Sequence, residues 1–216
     1  LSLVDAIARV ATLWATWRLP AMPPADETGG RAGLAEVVAG FRYAAMHKVL
    51  LVSFLVDIVA MAFGMPRILF PEMAERTFGD PPGGGLALGL LFAAIPAGTV
   101  IGGVFSGWLS RGGGQGGAVA VSVGVWGFGV ALFGLTGSLW LAVVLLAVAG
   151  AGDLVSAVFR SSMLQTVATD EMRGRMQGVF IVVVAGGPRV ADLWHGSVGA
   201  LVGPGLATTA GGVAVL

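Results

Sequence analysis

Residues 118–159 read AVAVSVGVWGFGVALFGLT, then GS, then LWLAVVLLAVAGAGDLVSAVF. About 20 residues of helix, each rising 1.5 Å, cover the roughly 30 Å hydrocarbon core of a bilayer. Both runs have that length, and Asp153 is the one charged residue between them. A helix satisfies every backbone N–H and C=O within its own segment, which lipid demands of anything that spans it. The stretch therefore predicts two membrane-spanning helices joined at Gly137 and Ser138.

Similar apolar runs lie on either side, at 49–70, 86–108 and 176–193, with a sixth at 198–216 that is expected to be cut short. Hydrophobic residues make up 56% of the 216-residue chain, charged residues 11%, and mean hydropathy is +0.89. Soluble domains carry about 25% charge, and five or more such runs in series have hardly any amphipathic partners here to cover them in water. The fold class is an all-α integral membrane helical bundle. Residues 1–17 look like the end of a preceding spanning helix. Residues 18–48 form a polar linker with Pro20, Pro23, Pro24, Asp26, Glu27, Gly29 and Gly30, followed by Leu34, Val37, Val38 and Phe41 at the spacing of an amphipathic helix at the membrane surface. The chain begins and ends inside apolar runs, which suggests a fragment of a longer protein.

Alternating the connections across the membrane collects Arg18, Arg31, Arg42, Lys48, Arg111, Arg160, Arg173 and Arg175 on one side and Arg67, Arg76 and Arg189 on the other. Cytoplasmic loops carry the excess of Lys and Arg, so the first side, with the 18–48 linker, is expected inside. Zero formal net charge and scattered cations leave no basic face for nucleic-acid phosphates. The absence of Cys removes disulfides, thiolate metal sites and cysteine nucleophiles.

The residues that carry information are those the hydrocarbon should reject. Asp57 stands nine residues into its run, roughly 14 Å deep, where an uncompensated carboxylate is costly. Ser53, Asp57, Ala60, Gly64 and Arg67 share one stripe of a continuous helix, a small and polar face expected to turn inward. Asp153 forms a second such face with Gly150, Ser156, Ala157 and Arg160. Either aspartate suits a proton carrier or one half of a structural ion pair. Gly98, Gly102 and Ser106, with Gly103 and Gly107, place small residues four apart, the spacing of close helix packing. Pro66, Pro96 and Pro188 fall within predicted crossings and mark bends.

Enzyme signatures do not emerge. His47 and His195 stand far apart at predicted membrane boundaries, and no H-E-x-x-H or G-x-S-x-G spacing is present. Gly150 and Gly152 begin a dinucleotide-binding pattern, but Val155 occupies the third glycine position. An intramembrane aspartyl protease would need Tyr-Asp and Gly-x-Gly-Asp, whereas Asp57 follows Val56; Gly150-Ala-Gly152-Asp153 is half of that signature. No catalytic residue, metal site or cofactor is expected.

The run Phe54-Leu-Val-Asp57-Ile-Val-Ala-Met61, with Gly64-Met-Pro-Arg67 and Leu69-Phe-Pro71, resembles the start of the second helical half in enterobactin-exporter-like members of the major facilitator superfamily. Asp153 to Arg160, Gln165-Thr166, Asp170 to Gly178 and Val184-Ala-Gly-Gly-Pro-Arg189 resemble the same branch. The resemblance implies a twelve-helix transporter, with residues 1–17 ending helix six, 18–48 as the cytoplasmic interdomain linker, and 49–216 as the C-terminal six-helix half. The superfamily's G-x-L-a-D-R-x-G loop survives as Gly107, Leu109 and Arg111 without its acidic residue, so no charge relay is expected there. Arg173 and Arg175, after Asp170 and Glu171, form a turn suited to interdomain ion pairs or to a solvated cytoplasmic loop.

What the resemblance implies of function is alternating-access transport of a small molecule, as a proton-coupled exporter of a siderophore or drug in the inner membrane. Asp57, Asp153, Arg67 and Arg160 are the candidates for the substrate and proton pathway. Gly107, Arg111, Arg173 and Arg175 belong to the gating loops, and Gly98, Gly102 and Gly103 to helix packing. The implied partners are the lipid bilayer, the small-molecule substrate, protons and the N-terminal half of the same transporter. A non-transporting membrane scaffold and an intramembrane enzyme are the alternatives.

Overall fold

The computed structural model describes residues 2–19, 34–109, 115–167 and 169–216. The chain divides into two compact units, Leu1–Gly33 and Leu34–Leu216. The first holds α1 (Ser2–Trp17), in which the Thr12 and Thr16 hydroxyls donate to the carbonyls of Ala8 and Thr12 one turn back. Residues 20–33, most of the proposed linker, lie outside the described residues.

The second unit runs α2 (Leu34–Met46), α3 (Lys48–Phe63), a 3-10 turn (Arg67–Leu69), α4 (Phe70–Arg76), α5 (Leu86–Leu109), α6 (Gln115–Leu135), α7 (Leu139–Val167), α8 (Asp170–Val202) and α9 (Pro204–Val215). Five stretches, Lys48–Arg76, Leu86–Val104, Gly116–Leu135, Leu139–Met163 and Gly174–Val202, are long and apolar enough to cross a membrane. Large apolar side chains line their outer surfaces, among them Val100, Val104, Trp140, Leu193 and Leu201. Soluble monomers rarely leave such contiguous surface exposed, whereas lipid accepts it.

Several boundaries differ from the sequence expectation, each for a local reason. The run at 49–70 is not one helix: Pro66 brings no N–H to the carbonyl four residues back, so α3 stops at Phe63 and the chain resumes as the 3-10 turn and α4. Pro96 and Pro188, by contrast, sit inside unbroken α5 and α8. The residues between 193 and 198 contain no breaker strong enough to end α8, which continues to Val202. Gly203 takes φ +88, a conformation that favours glycine, and Pro204 starts α9 with its fixed φ. Nor is 160–175 a loop. Helix α7 carries on to Val167 and α8 begins at Asp170, so Arg173 and Arg175 stand in the opening turns of a helix.

Helix α2 also differs. Val38 and Phe41 are exposed, while Gly40 and Ala44 are buried. A side chain at Gly40 would collide with Val179, so this helix approaches α8 along its small residues, with Val37 and Tyr43 packed against the same cluster. Close approach governs the α5–α7 seam as well. A Cβ at Gly98 would fall on the Ala147 backbone, one at Gly102 would lie 2.9 Å from the Ala151 Cα, and one at Gly103 3.2 Å from the Leu154 side chain. Thr99 adds a hydroxyl that reaches the carbonyls of Ile95 at 3.0 Å and Gly150 at 3.4 Å. In lipid, where burial of apolar surface drives nothing, such backbone-to-backbone van der Waals contact is what holds helices together.

Two apolar clusters form. The larger gathers Met65, Phe70, Leu91, Trp126, Val130, Phe133 and Leu146 from the turn after α3 and from α4 to α7. The smaller, Ala44, Leu50, Phe54, Met176, Val179 and Val183, joins α2, α3 and α8 near the Lys48 end. Between α3 and the helices α6 and α7 at that same end lies a cavity of about 390 Å³, lined by Val49, Val52, Val56, Val119 and Met163 among others.

Candidate functional site

Asp57 sits two turns before the end of α3, on the face that also buries Leu50, Phe54 and Ala60. Arg160 sits about two turns before the end of α7, close to the end of its apolar stretch. The Arg160 guanidinium donates through Nη1 to Asp57 Oδ1, an ion pair between side chains that are 5% and 1% exposed. The two residues are 103 positions apart, so no local helix spacing foretells the contact. Leu50, Ser53, Phe54 and Phe180 close a cavity of about 10 Å³ against the pair, about the room one water-sized molecule occupies. Asp57 Oδ2, Arg160 Nε and the nearby buried Ser156 Oγ have no hydrogen-bond partner among the described residues.

Helix α3 touches α7 sparingly, in contrast to the long seam between α5 and α7. The ion pair is therefore the principal polar bridge across a loosely packed part of the bundle. Water screens a surface ion pair to little net value, but here neither charge can be solvated, and removing either partner strands the other. What the arrangement can do chemically follows: proton gain by Asp57, or arrival of an anion at Arg160, relieves the need for the two helices to stay together.

Asp153 is half-buried and lies two turns before Arg160 on α7, within electrostatic reach of Arg160, Asp57 and Arg67. Arg67 does not extend the Ser53–Asp57–Ala60–Gly64 stripe as a continuous helix requires. The break before Pro66 moves it onto the exposed 3-10 turn. Of the four residues singled out from sequence as pathway candidates, Asp57 and Arg160 are in contact, Asp153 shares α7 with Arg160, and Arg67 stands exposed on the turn after α3.

The other candidates are placed as follows. Gly98, Gly102 and Gly103 lie on the α5–α7 seam. Gly107 is in the last turns of α5, and Arg111 lies outside the described residues. Arg173 and Arg175 belong to the start of α8, where the Arg175 guanidinium comes within 3.6 Å of the Met172 sulfur. Among the described residues no group of three or more His, Cys, Asp or Glu is placed to share a metal ion.

Sequence reasoning set His195 at a membrane boundary, and the structure moves it. Because α8 runs on to Val202, His195 is fully buried inside the apolar stretch, with Nε2 2.9 Å from the Phe63 carbonyl. Trp126, also buried, was not singled out at all; nothing in its apolar surroundings distinguishes it in the sequence, and only the packing sets its indole beside Gly64.

Comparison with known proteins accords with this architecture. A family described as transmembrane secretion effector matches residues 2–216. Enterobactin exporter EntS of Escherichia coli O139:H28 (strain E24377A / ETEC) is 31% identical over 211 residues, which cover 95% of this chain and 48% of that protein. The protein of the same name from Shigella boydii serotype 18 (strain CDC 3083-94 / BS512) matches to the same extent. The chain spans about half the length of the curated relatives it matches. No solved structure matches it significantly. A match from residue 2 to residue 216, over helices built to cross a bilayer, means that this chain belongs to the transmembrane secretion effector family of the major facilitator superfamily, as a multi-pass protein of the inner membrane.

Proposed function

We propose that residues 49–216 form the C-terminal half of a secondary transporter that exports a small molecule by alternating access, with Asp57 coupling proton movement to helix movement. Residues 1–17 then end helix six, residues 18–48 form the cytoplasmic linker, and an N-terminal half supplies the opposite wall of a midplane cavity. The observation that carries this reading is the buried Asp57–Arg160 pair between α3 and α7. In a low-dielectric site the pair is a latch: it holds while Asp57 is ionised and releases when a proton neutralises the carboxylate. Arg160, freed from Asp57, is then available to an anionic or hydrogen-bonding substrate, and loss of the proton on the other side restores the latch. Asp153 and Arg67 tune the field around that exchange. The relatives are named enterobactin exporters, which favours a siderophore or drug-like substrate and export over uptake. The chain's role is transport rather than catalysis.

The test is efflux of labelled siderophores and drugs, driven by an imposed proton gradient, from vesicles holding the full-length protein. Asp57→Asn, folded and inserted, is expected to abolish gradient-driven efflux while leaving slow exchange down a substrate gradient. Unchanged gradient-driven efflux in that variant removes Asp57 from the coupling path.

A further inference from the structure

The break in the first long crossing leaves backbone groups to be accounted for. Pro66 has no N–H, so the carbonyl of Ala62 lacks its helical donor, and because α3 ends at Phe63 the carbonyl of Phe63 lacks one too. His195 of α8 meets the second of these. A carbonyl only accepts, so the imidazole carries its proton on Nε2 and donates it to Phe63 O across 2.9 Å. Gly211 of α9 makes room, since a Cβ there would strike both the Phe63 carbonyl and the imidazole ring. The Trp194 ring packs edge-on against Phe63 beside it. Helix α3 is thereby fastened to α8 at one end by His195 and at the other by the small apolar cluster of Leu50, Phe54, Val179 and Val183.

Past the turn that follows the break, where Leu69 still packs on α8 at Gly199, the chain belongs to other helices. Phe70 of α4 stacks edge-on with Phe92 of α5 and Phe133 of α6. Between α3 and the pair α6–α7 stands the cavity of about 390 Å³, and the Asp57–Arg160 latch, outside its lining, joins two of the same helices, α3 and α7. Two buried polar atoms flank the break without a partner among the described residues: Trp126 Nε1, set against Gly64, and His195 Nδ1. An unmatched buried donor calls for an explanation, and a second arrangement supplies one, in which the indole N–H reaches a carbonyl that Pro66 leaves free; His195 Nδ1, bare while Nε2 holds the proton, is an unmatched acceptor.

We propose that α3 and α8 rock as one body against α5, α6 and α7 about the break at Gly64–Pro66, and that His195 is the positioning residue that pins the pivot. The proposal rests on the transport reading above. The cavity is the space into which the Lys48 end of α3 swings, and release of Asp57 from Arg160 is what permits the swing. Hinges of this kind sit at element ends and act far from the reacting groups.

These 216 residues hold no Cys, so once any Cys elsewhere in the full-length protein is replaced, introduced pairs report alone. Spin labels at Val52 and Val121 report α3 against α6, and labels at Ile58 and Val184 report α3 against α8; all four positions are exposed. In the full-length protein, Asp57→Asn is expected to shift the first separation and leave the second unchanged. His195→Leu is expected to broaden the second and lower turnover roughly three- to tenfold, the worth of one hydrogen bond. His195→Gln, whose amide places an N–H near the same point, restores both. If His195→Leu fails to fold, a Leu69→Cys/Gly199→Cys pair bridges the turn after the break to α8, where these residues already touch. Oxidation should stop transport and reduction restore it. Transport that persists in the oxidised, cross-linked protein, or an α3–α6 separation indifferent to Asp57→Asn, overturns the hinge. A wild-type protein with no efflux sinks the transport reading instead, and the label distances still decide the pivot.

Discussion

The Asp57 carboxylate and the Arg160 guanidinium, 103 residues apart in sequence, meet in a site from which both are shielded almost completely. Around them α3 and α7 have little other contact, so the strength of one polar bond decides how firmly two spans of the bundle are joined. That relationship has energetic consequences separate from transport.

Replacing either partner alone should destabilise the folded protein by about 3–5 kcal/mol, because a charge is left buried without its mate. The double variant Asp57→Leu/Arg160→Met should recover most of that loss, since two apolar residues of similar volume leave nothing stranded. Thermal unfolding in detergent of the singles and the double, read as a double-mutant cycle, checks this; equal costs that simply add would show the pair to be uncoupled.

Arg160→Lys keeps the charge but not the planar fork of donors. We expect it to retain the fold and to support gradient-driven efflux at a reduced rate, between wild type and Asp57→Asn. Vesicle efflux at matched protein levels measures it, and wild-type rates would mean that charge alone suffices.

At the α5–α7 seam a side chain at Gly98 has no space, because the obstacle is the backbone at Ala147 rather than a mobile side chain. Gly98→Val should therefore cost about 1–3 kcal/mol or more through forced separation of the helices. Gly124→Ala, where nothing lies within 4 Å, should be neutral. Melting temperatures of the two variants compared with the parent decide the matter, and an intact melt for Gly98→Val would refute the close-packed seam.

Asp80 accepts hydrogen bonds from the Ala87 and Leu88 amides, at 3.1 and 2.8 Å, and so closes the start of α5. Asp80→Ala should cost roughly 1 kcal/mol, the worth of an N-terminal cap, while Asp80→Asn keeps one acceptor oxygen and loses less. Hydrogen exchange over the first turn of α5 should quicken in the alanine variant and hold nearer to wild type in the asparagine variant.

Much of this protein is written in local composition. Length and apolarity of a run are enough to demand a helix in lipid, because the requirement to satisfy backbone groups acts on each segment alone. The crossings beginning near residues 49, 86, 118, 139 and 176 follow from that. The same logic marked Asp57 and Asp153 as residues needing compensation, and the glycine spacing marked where helices approach closely. What composition left open was the identity of each partner. Arg160 as the mate of Asp57, Ala147 as the neighbour of Gly98, and His195 as the donor to Phe63 all join residues far apart in the chain, and such pairs are chosen by how helices pack against one another. Boundaries, too, needed the tertiary structure: Pro66, Pro96 and Pro188 read alike in the sequence, and the break before Pro66 is the place where a buried histidine from another helix donates to a carbonyl, that of Phe63, left without a helical donor.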